Sequence, residues 1–196
     1  MSRKIIRVTG SDREAFLQGL VTNDVRHAPC WAALLTPQGK YLADFLIVPQ
    51  GDSLLIDVDA RLAGDLLRRL TMYKLRSNVD LSLTDMTVAA GTGPTPEGAI
   101  TDPRHPAMGW RHYGASGDDA TNWDALRVAH CIPETLIELI PNETYILEAG
   151  FERLHGVDFR KGCYVGQEVT ARMKHKTDLR KGLMIVRISG QAPVGT

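Results

Sequence analysis

The densest run of reactive side chains is Arg160-Lys161-Gly162-Cys163-Tyr164-Val165-Gly166-Gln167-Glu168. Two glycines bracket a Cys-Tyr pair just ahead of a predicted helix. Unpaired backbone N–H groups at a helix N-terminus carry partial positive charge. With Arg160 and Lys161 alongside, they favour the thiolate, the form that acts as nucleophile or metal ligand. Glycines also let backbone come close to a ligand or a second chain. A free cysteine is often simply buried, but these neighbours put a functional thiol ahead, the most reactive of the three. Cys30 lies beside Pro29 and Trp31, and Cys131 falls on an amphipathic helix. Three distant cysteines without C-x-x-C spacing argue against a disulfide framework or an all-cysteine zinc site.

Charge is concentrated in the same region. Seven cations (Arg160, Lys161, Arg172, Lys174, Lys176, Arg180 and Lys181) face Glu168 and Asp178, in a chain whose 23 basic and 23 acidic residues cancel. The segment fits a solvated basic face, or a site for an anionic ligand tail, an acidic partner or RNA phosphate. Overall neutrality argues against dedicated duplex binding. Asn23 and Asp24 cap a turn after the first helix, or hydrogen-bond a planar heterocycle. Asp44 at a strand start and Arg127 on a helix have equally ordinary surface readings. The six histidines lack H-x-x-x-H or H-E-x-x-H spacing, and no P-loop or dinucleotide fingerprint is present.

The elements that must position these groups follow from periodicity. Ser11-Asp12-Arg13-Glu14 has the capping-box pattern, and Phe16, Leu17 and Leu20 predict a helix over 12–20. Strands are predicted over 44–48 and 53–58, then a helix capped by Asp59 with Leu62, Leu66, Leu67 and Leu70 inward. Short strands follow at 79–83 and 86–90, then a long irregular connection over 91–122. Helices are predicted over 123–131, stopping before Pro133, and over 145–155, ended by Gly156. An apolar, β-branched strand is predicted over 182–189. Mixed elements without a β-α-β rhythm favour α+β over a doubly wound sheet. The 196 residues suffice for one large domain or two small interleaved ones. Mean hydropathy is −0.15 and no apolar run reaches the ~20 residues of a membrane helix.

Several segments together resemble the folate-binding YgfZ family, which includes a mitochondrial iron–sulfur assembly relative and is built on the glycine cleavage T-protein fold. Lys161 to Glu168 matches its K-G-C-[YF]-x-G-Q-E signature. Phe16 to Asp24 resembles F-L-Q-G-x-x-T-N-D, Gly39 to Asp44 G-[KR]-x-L-x-D, Tyr73 to Val79 Y-x-[LM]-R-x-x-V, and Arg127 to Pro133 R-x-x-x-x-I-P. The resemblance implies an α+β, T-protein-like fold of two interleaved α/β subdomains over residues 1–175. Residues 176–196 would then begin a C-terminal β-barrel. It also implies a protein that binds tetrahydrofolate and assists iron–sulfur cluster assembly or maintenance. Cys163 and Lys161 would act catalytically, Cys163 also as an iron–sulfur ligand shared with a partner. Asn23, Asp24, Asp44, Arg127 and Tyr164 would lie around the folate, in one cavity. Partners would be iron–sulfur assembly proteins or client enzymes, with no membrane and no direct nucleic-acid contact. The compartment would be cytoplasmic in a bacterium and mitochondrial in a eukaryote. Two other readings are a folate-dependent aminomethyltransferase, whose aspartate pair is here Ala43-Asp44, and a binding module for a protein or tRNA-modifying enzyme.

Overall fold

The computed structural model describes residues 2–117 and 120–190. Its frame is a five-stranded antiparallel sheet in the order β2-β3-β4-β1-β5, formed by β1 (Arg3–Thr9), β2 (Cys30–Leu35), β3 (Tyr41–Gln50), β4 (Ser53–Asp59) and β5 (Asp80–Thr84). Every residue of β2 and β4 is buried, as are the first eight of β3. The sheet is therefore covered on both faces, which replaces polar–apolar alternation by continuous apolar runs.

One face packs on α1 (Arg13–Gln18) and α2 (Ala60–Lys74). Ile6, Val8, Phe45, Ile47 and Ile56 of the sheet meet Phe16, Leu17, Ala63, Leu66 and Leu70 there. Asp59 caps α2 as expected, accepting from the Arg61 N–H at 2.8 Å. The capping box ahead of α1 does not form. The Asp12 carboxylate instead accepts from the Asn78 N–H at 2.8 Å. The opposite face packs on the segment 132–157, where Trp31 stacks on Phe151 with ring centroids 3.9 Å apart.

A β-bulge shapes this second face. Leu34 pairs with Ala43 but Leu35 with Tyr41, so Leu42 is the extra residue. Leu42 and Ala43 both turn toward the helices, and Tyr41 and Asp44 come to share the opposite face. A second sheet, ordered β6-β8-β7, is built from β6 (Val88–Gly91), β7 (Ile100–Thr101) and β8 (Trp110–Tyr113). Two further helices are α3 (Trp123–Ala129) and α4 (Gln167–Lys176).

The α+β class, α2, α3 and the strand pair β3–β4 agree with the sequence reading. Other elements differ. β1 and β2 were not anticipated, because neither Arg3-Lys4-Ile5-Ile6-Arg7 nor Cys30-Trp31-Ala32-Ala33-Leu34-Leu35 alternates. In the second sheet β6 matches the strand expected over 86–90, but β7 and β8 lie inside the stretch expected to be irregular, where strands of two and four residues are masked by Gly and Pro. Residues 145–155 form successive turns rather than a helix. The apolar positions are buried, but Gly150 at φ +78° and His155 at φ +56° break the repeat. The strand expected over 182–189 is absent. Residues 177–190 are without strand pairing and mostly exposed, since β-branched propensity makes no strand without a neighbour. The rest of the expected barrel segment, 191–196, lies outside the described residues.

Two glycine contacts fix how the cysteine segment meets the sheet. At Gly166, φ is +82° and a Cβ would stand 2.6 Å from the Thr36 carbonyl oxygen and 3.0 Å from the Leu35 Cβ. At Gly39, φ is +76° and a Cβ would stand 2.9 Å from the Val169 Cβ. The β2–β3 hairpin turn and the start of α4 thus touch backbone to backbone. Gly162 has open space around it. Gly166→Ala is therefore expected to destabilise the fold by about 1–3 kcal/mol, through strain and clash. Gly162→Ala is expected to be within about 0.5 kcal/mol of neutral. Paired denaturant melts check both, and equal losses in the two variants would refute the packing argument.

Candidate functional site

Cys163 lies on a short loop between Lys161 and Gly166, the N-cap of α4, and is exposed. Cys131 is half-buried and Cys30 is buried. Burial pushes the Cys30 thiol up to about 12, a shift that Lys161 opposes and Asp24 reinforces.

Lys161 turns inward. Its ammonium donates to the backbone carbonyls of Gln18 at 2.8 Å, Val21 at 2.5 Å and Asn23 at 2.9 Å. All three N–H groups are thus committed at the C-terminal end of α1, where a cation is favoured. Burial draws the ammonium down to about 8, against the pull of Asp24, Cys30 and Asp158. This places Lys161 as a strut that fixes the cysteine loop to the 18–23 corner. Tyr164 packs into the core on the Phe151 side, its hydroxyl pushed up to about 12 by burial.

The other candidates separate. Asn23 donates to the carbonyls of Trp31 at 2.7 Å and His155 at 2.6 Å. Asp24 accepts from the Arg26 N–H at 3.0 Å and from its guanidinium at 2.9 and 2.5 Å, which holds its carboxyl far below the usual range. Asp24, His27 and Asp158 bring ligand atoms within 4.8 Å of one another, but Arg26 already neutralises Asp24. Asp44 is buried and fixed by three donors. The Tyr41 hydroxyl and Thr135 Oγ1 each reach it at 2.7 Å, and Trp31 Nε1 at 3.0 Å.

Arg127 lines a cavity of about 420 Å³ between the two sheets' polar ends and α3. That size suits a drug-sized or cofactor-sized molecule. Its wall carries Arg3, Arg104, Arg111, Arg127 and Glu134, with Trp123, Met108 and Ile132 supplying apolar surface. Asn23, Asp24 and Asp44 are not among the lining residues, so the three regions expected around one cavity are not brought together in it. Asp44 backs the cavity indirectly, through Thr135 beside Glu134.

The guanidiniums are fixed from behind. Arg3 binds Asp57 at 2.6 Å, and Arg111 bridges Asp57 at 3.1 Å and Asp102 at 3.0 Å. Arg104 forks onto Asp102 at 3.0 and 2.7 Å. Burial works to raise both carboxyls, but these arginines overcome it and hold them low. Arg127 is held by Asp124 and Glu138. Sequence reasoning missed Arg3, Arg104, Arg111 and Glu134. One signal was available: Asp24-x-Arg26, Asp59-x-Arg61 and Asp102-x-Arg104 fold alike. In each, the carboxylate takes the N–H and the guanidinium of the residue two ahead.

Fold and site together define an α+β protein with a guanidinium-walled cavity and a separate exposed thiol. Its sequence relatives include iron–sulfur cluster assembly factors. The chain is 34% identical to the "Iron-sulfur cluster assembly factor IBA57 homolog, mitochondrial" of Neurospora crassa, over 98% of this chain and 54% of that protein. It is 30% identical to the "Iron-sulfur cluster assembly factor IBA57, mitochondrial" of Mus musculus, over 97% of this chain and 66% of that protein. The chain spans about half the length of the first fungal relatives it matches. No protein-family model matches it. Among solved structures, the glycine cleavage system aminomethyltransferase T from Bartonella henselae matches 44% of this chain and 25% of its own, with TM-score 0.41 and 15% identity.

The thiol and its strut make separable predictions. Cys163 is expected to be alkylated faster than Cys131, and Cys30 slowest, in peptide mapping near neutral pH. Cys163→Ala is expected to melt within a degree or two of wild type, because an exposed side chain gives up little packing. Lys161→Met leaves three carbonyls without their donor and is expected to cost about 2–3 kcal/mol. A Cys163→Ala variant that melts as low as Lys161→Met would make the cysteine a packing residue.

Proposed function

We propose that this chain binds tetrahydrofolate in the guanidinium-walled cavity and assists the assembly or maintenance of iron–sulfur clusters in client enzymes, with Cys163 as its functional thiol. The observation that carries the reading is the exposed Cys163 on a loop whose neighbour Lys161 is fixed by three hydrogen bonds. A side chain exposed by a rigid loop is available to a second molecule. One thiolate does not complete the ligand set of a cluster iron. A cluster held through Cys163 is therefore shared, with the remaining ligands coming from an assembly protein, a client or a small thiol. The basic exposed residues of α4 suit an acidic partner of that kind. The names of the relatives support the cluster role and a mitochondrial compartment.

For the folate, the cavity offers a volume of about 420 Å³, the indole of Trp123 as a flat wall, and both charge signs in Glu134 and the arginines. Folate as a one-carbon carrier supplies a reduced ring that binds or delivers carbon units. This chain's own residues bind that ring, orient it and exclude water from it. The aminomethyltransferase reading needs an aspartate at the ligand, whereas Asp44 is saturated by Tyr41, Thr135 and Trp31.

The test is complementation of cells depleted of the endogenous assembly factor, read as the activity of a mitochondrial iron–sulfur enzyme. The longer protein to which this sequence aligns serves as the frame. Cys163→Ser is expected to fold and to reduce recovery at least tenfold. Full recovery by Cys163→Ser would overturn the thiol's role. Isothermal titration with tetrahydrofolate tests the ligand, and heat indistinguishable from buffer would overturn the folate half.

A further inference from the structure

α2 ends in a turn whose shape calls for glycine and whose residue is a leucine. The Ser77 N–H donates to the Lys74 carbonyl at 2.8 Å, and between them Leu75 takes φ 43°, ψ −108°. These angles fit the first central position of a type II′ turn, which glycine ordinarily fills. Elsewhere this chain does place glycine at a similar pair, φ 62°, ψ −124° at Gly109. A side chain in this region strains the backbone. Packing does not offset that strain, because Leu75 is 88% exposed.

The turn is imposed by its surroundings. The Asn78 N–H donates to Asp12 Oδ2 at 2.8 Å, its side-chain amide donates to Ser11 Oγ at 3.0 Å, and its carbonyl accepts from the Asp12 N–H at 3.2 Å. Gly10, at φ +100°, lets that carbonyl come where a Cβ would stand 2.1 Å from it. Val79 then enters the core on the helix side. Leu75 is thus held outward beside Met72, Tyr73 and Arg76, all exposed. Strain kept in place without a packing role points to use by another molecule. The neighbouring charges narrow that molecule. Lys74 has Asp80, and Arg68 and Arg69 share Asp65, whereas the Arg76 guanidinium makes no hydrogen bond or ion pair among the described residues. Acids interleaved with bases repel a uniform polyanion, so a phosphate backbone or an anionic bilayer fits poorly. A protein surface with one placed carboxylate fits, and a single projecting leucine suits a pocket rather than a flat film.

We propose that the Leu75–Arg76 tip is a docking knob for a partner protein: Leu75 enters an apolar pocket on that protein, and Arg76 pairs with a carboxylate at the pocket's rim. The knob uses neither the guanidinium-walled cavity nor Cys163, so it stands apart from the folate and thiol readings. Arginine and tyrosine are among the residue types that carry most of the energy at interfaces, and Tyr73 and Arg76 lie on either side of the leucine in the chain. The exposure of Leu75 in the free protein then has its reason in the bound one, where the apolar side chain leaves water.

Leu75→Gly separates docking from folding. Glycine relieves the strain, so the purified variant is expected to melt level with wild type or up to about 4 °C above it. A variant that melts lower gives Leu75 a part in the fold and overturns the proposal. Photoreactive benzoylphenylalanine in place of Met72, which is 66% exposed, reports the partner in cells that make the protein, with the cross-linked peptide sequenced by mass spectrometry. The expected adduct is a segment of another protein in which apolar residues stand next to Asp or Glu. Titration of that protein, purified, against this one is expected to show binding weakened about tenfold or more by Leu75→Gly and by Arg76→Glu, and partly kept by Arg76→Lys. No adduct, an adduct with lipid, nucleic acid or a second copy of this chain, or a titration indifferent to Leu75→Gly and Arg76→Glu overturns the knob.

Discussion

Two enclosed carboxylates, Asp57 on β4 and Asp102 after β7, hold the cavity end of the molecule together. Arg3 on β1 and Tyr113 on β8 both reach Asp57, and Arg111 on β8 spans Asp57 and Asp102. The small sheet is thus joined to the large one by charge as well as by packing. A buried ionic chain is a poor source of stability, since desolvation offsets much of the attraction. Apolar side chains of equal volume would join the sheets as well. They would not hold three guanidiniums on one wall, each anchored from behind and with N–H groups left over. The ionic chain is better understood as the support of a charged surface than as glue. Removing Asp57 would leave Arg3 without its acid, removing Asp102 would do the same to Arg104, and in either case Arg111 would keep one carboxylate of its two.

The cysteine loop is held by a different device. Its charge is neutralised by no acid at hydrogen-bond range; Lys161 is satisfied by three carbonyls at the end of α1. Its path is set by sterics, because only glycine at 39 and 166 lets the hairpin turn and α4 approach as closely as they do. The run from Lys161 to Gly166 therefore divides by role. Lys161, Tyr164 and Gly166 build the loop, and Cys163 is what the loop presents. Gly162, with open space around it, leaves room beside the thiol.

The sequence made the thiol legible because its signal is local: residue types within eight positions, next to a helix start. The cavity was not legible in the same way. Arg3 and Arg104 are far apart in the chain and on different elements, and the sheet that carries Arg111 has strands too short to give a period. Asp44 was named in the sequence with a surface reading beside its place in the resemblance; it is buried instead, and its surroundings depend on the Leu42 bulge, which puts Tyr41 and Asp44 on one face. Regular alternation would have separated them. Glu134 offered nothing beyond its place after Ile132-Pro133. The turns over 145–155 show the converse case, where a genuine apolar stripe was read at the wrong period because Gly150 and His155 adopt positive φ.

Cavity and thiol are joined by a path that alternates hydrogen bonds with covalent chain. Glu134 precedes Thr135, which donates to Asp44; Trp31 donates to Asp44 and accepts through its carbonyl from Asn23; the Asn23 carbonyl accepts from Lys161, two residues before Cys163. Spatial continuity does not by itself carry a signal, which requires an element with two arrangements. No member of this path offers one. The Asp44 oxygens, the Asn23 amide and the Lys161 ammonium are each held by two or more hydrogen bonds. Such a path fixes distance rather than transmitting change. The turn that carries Glu134 and the loop that carries Cys163 are thereby both tied to the Trp31–Asp44 frame, and this network sets their spacing.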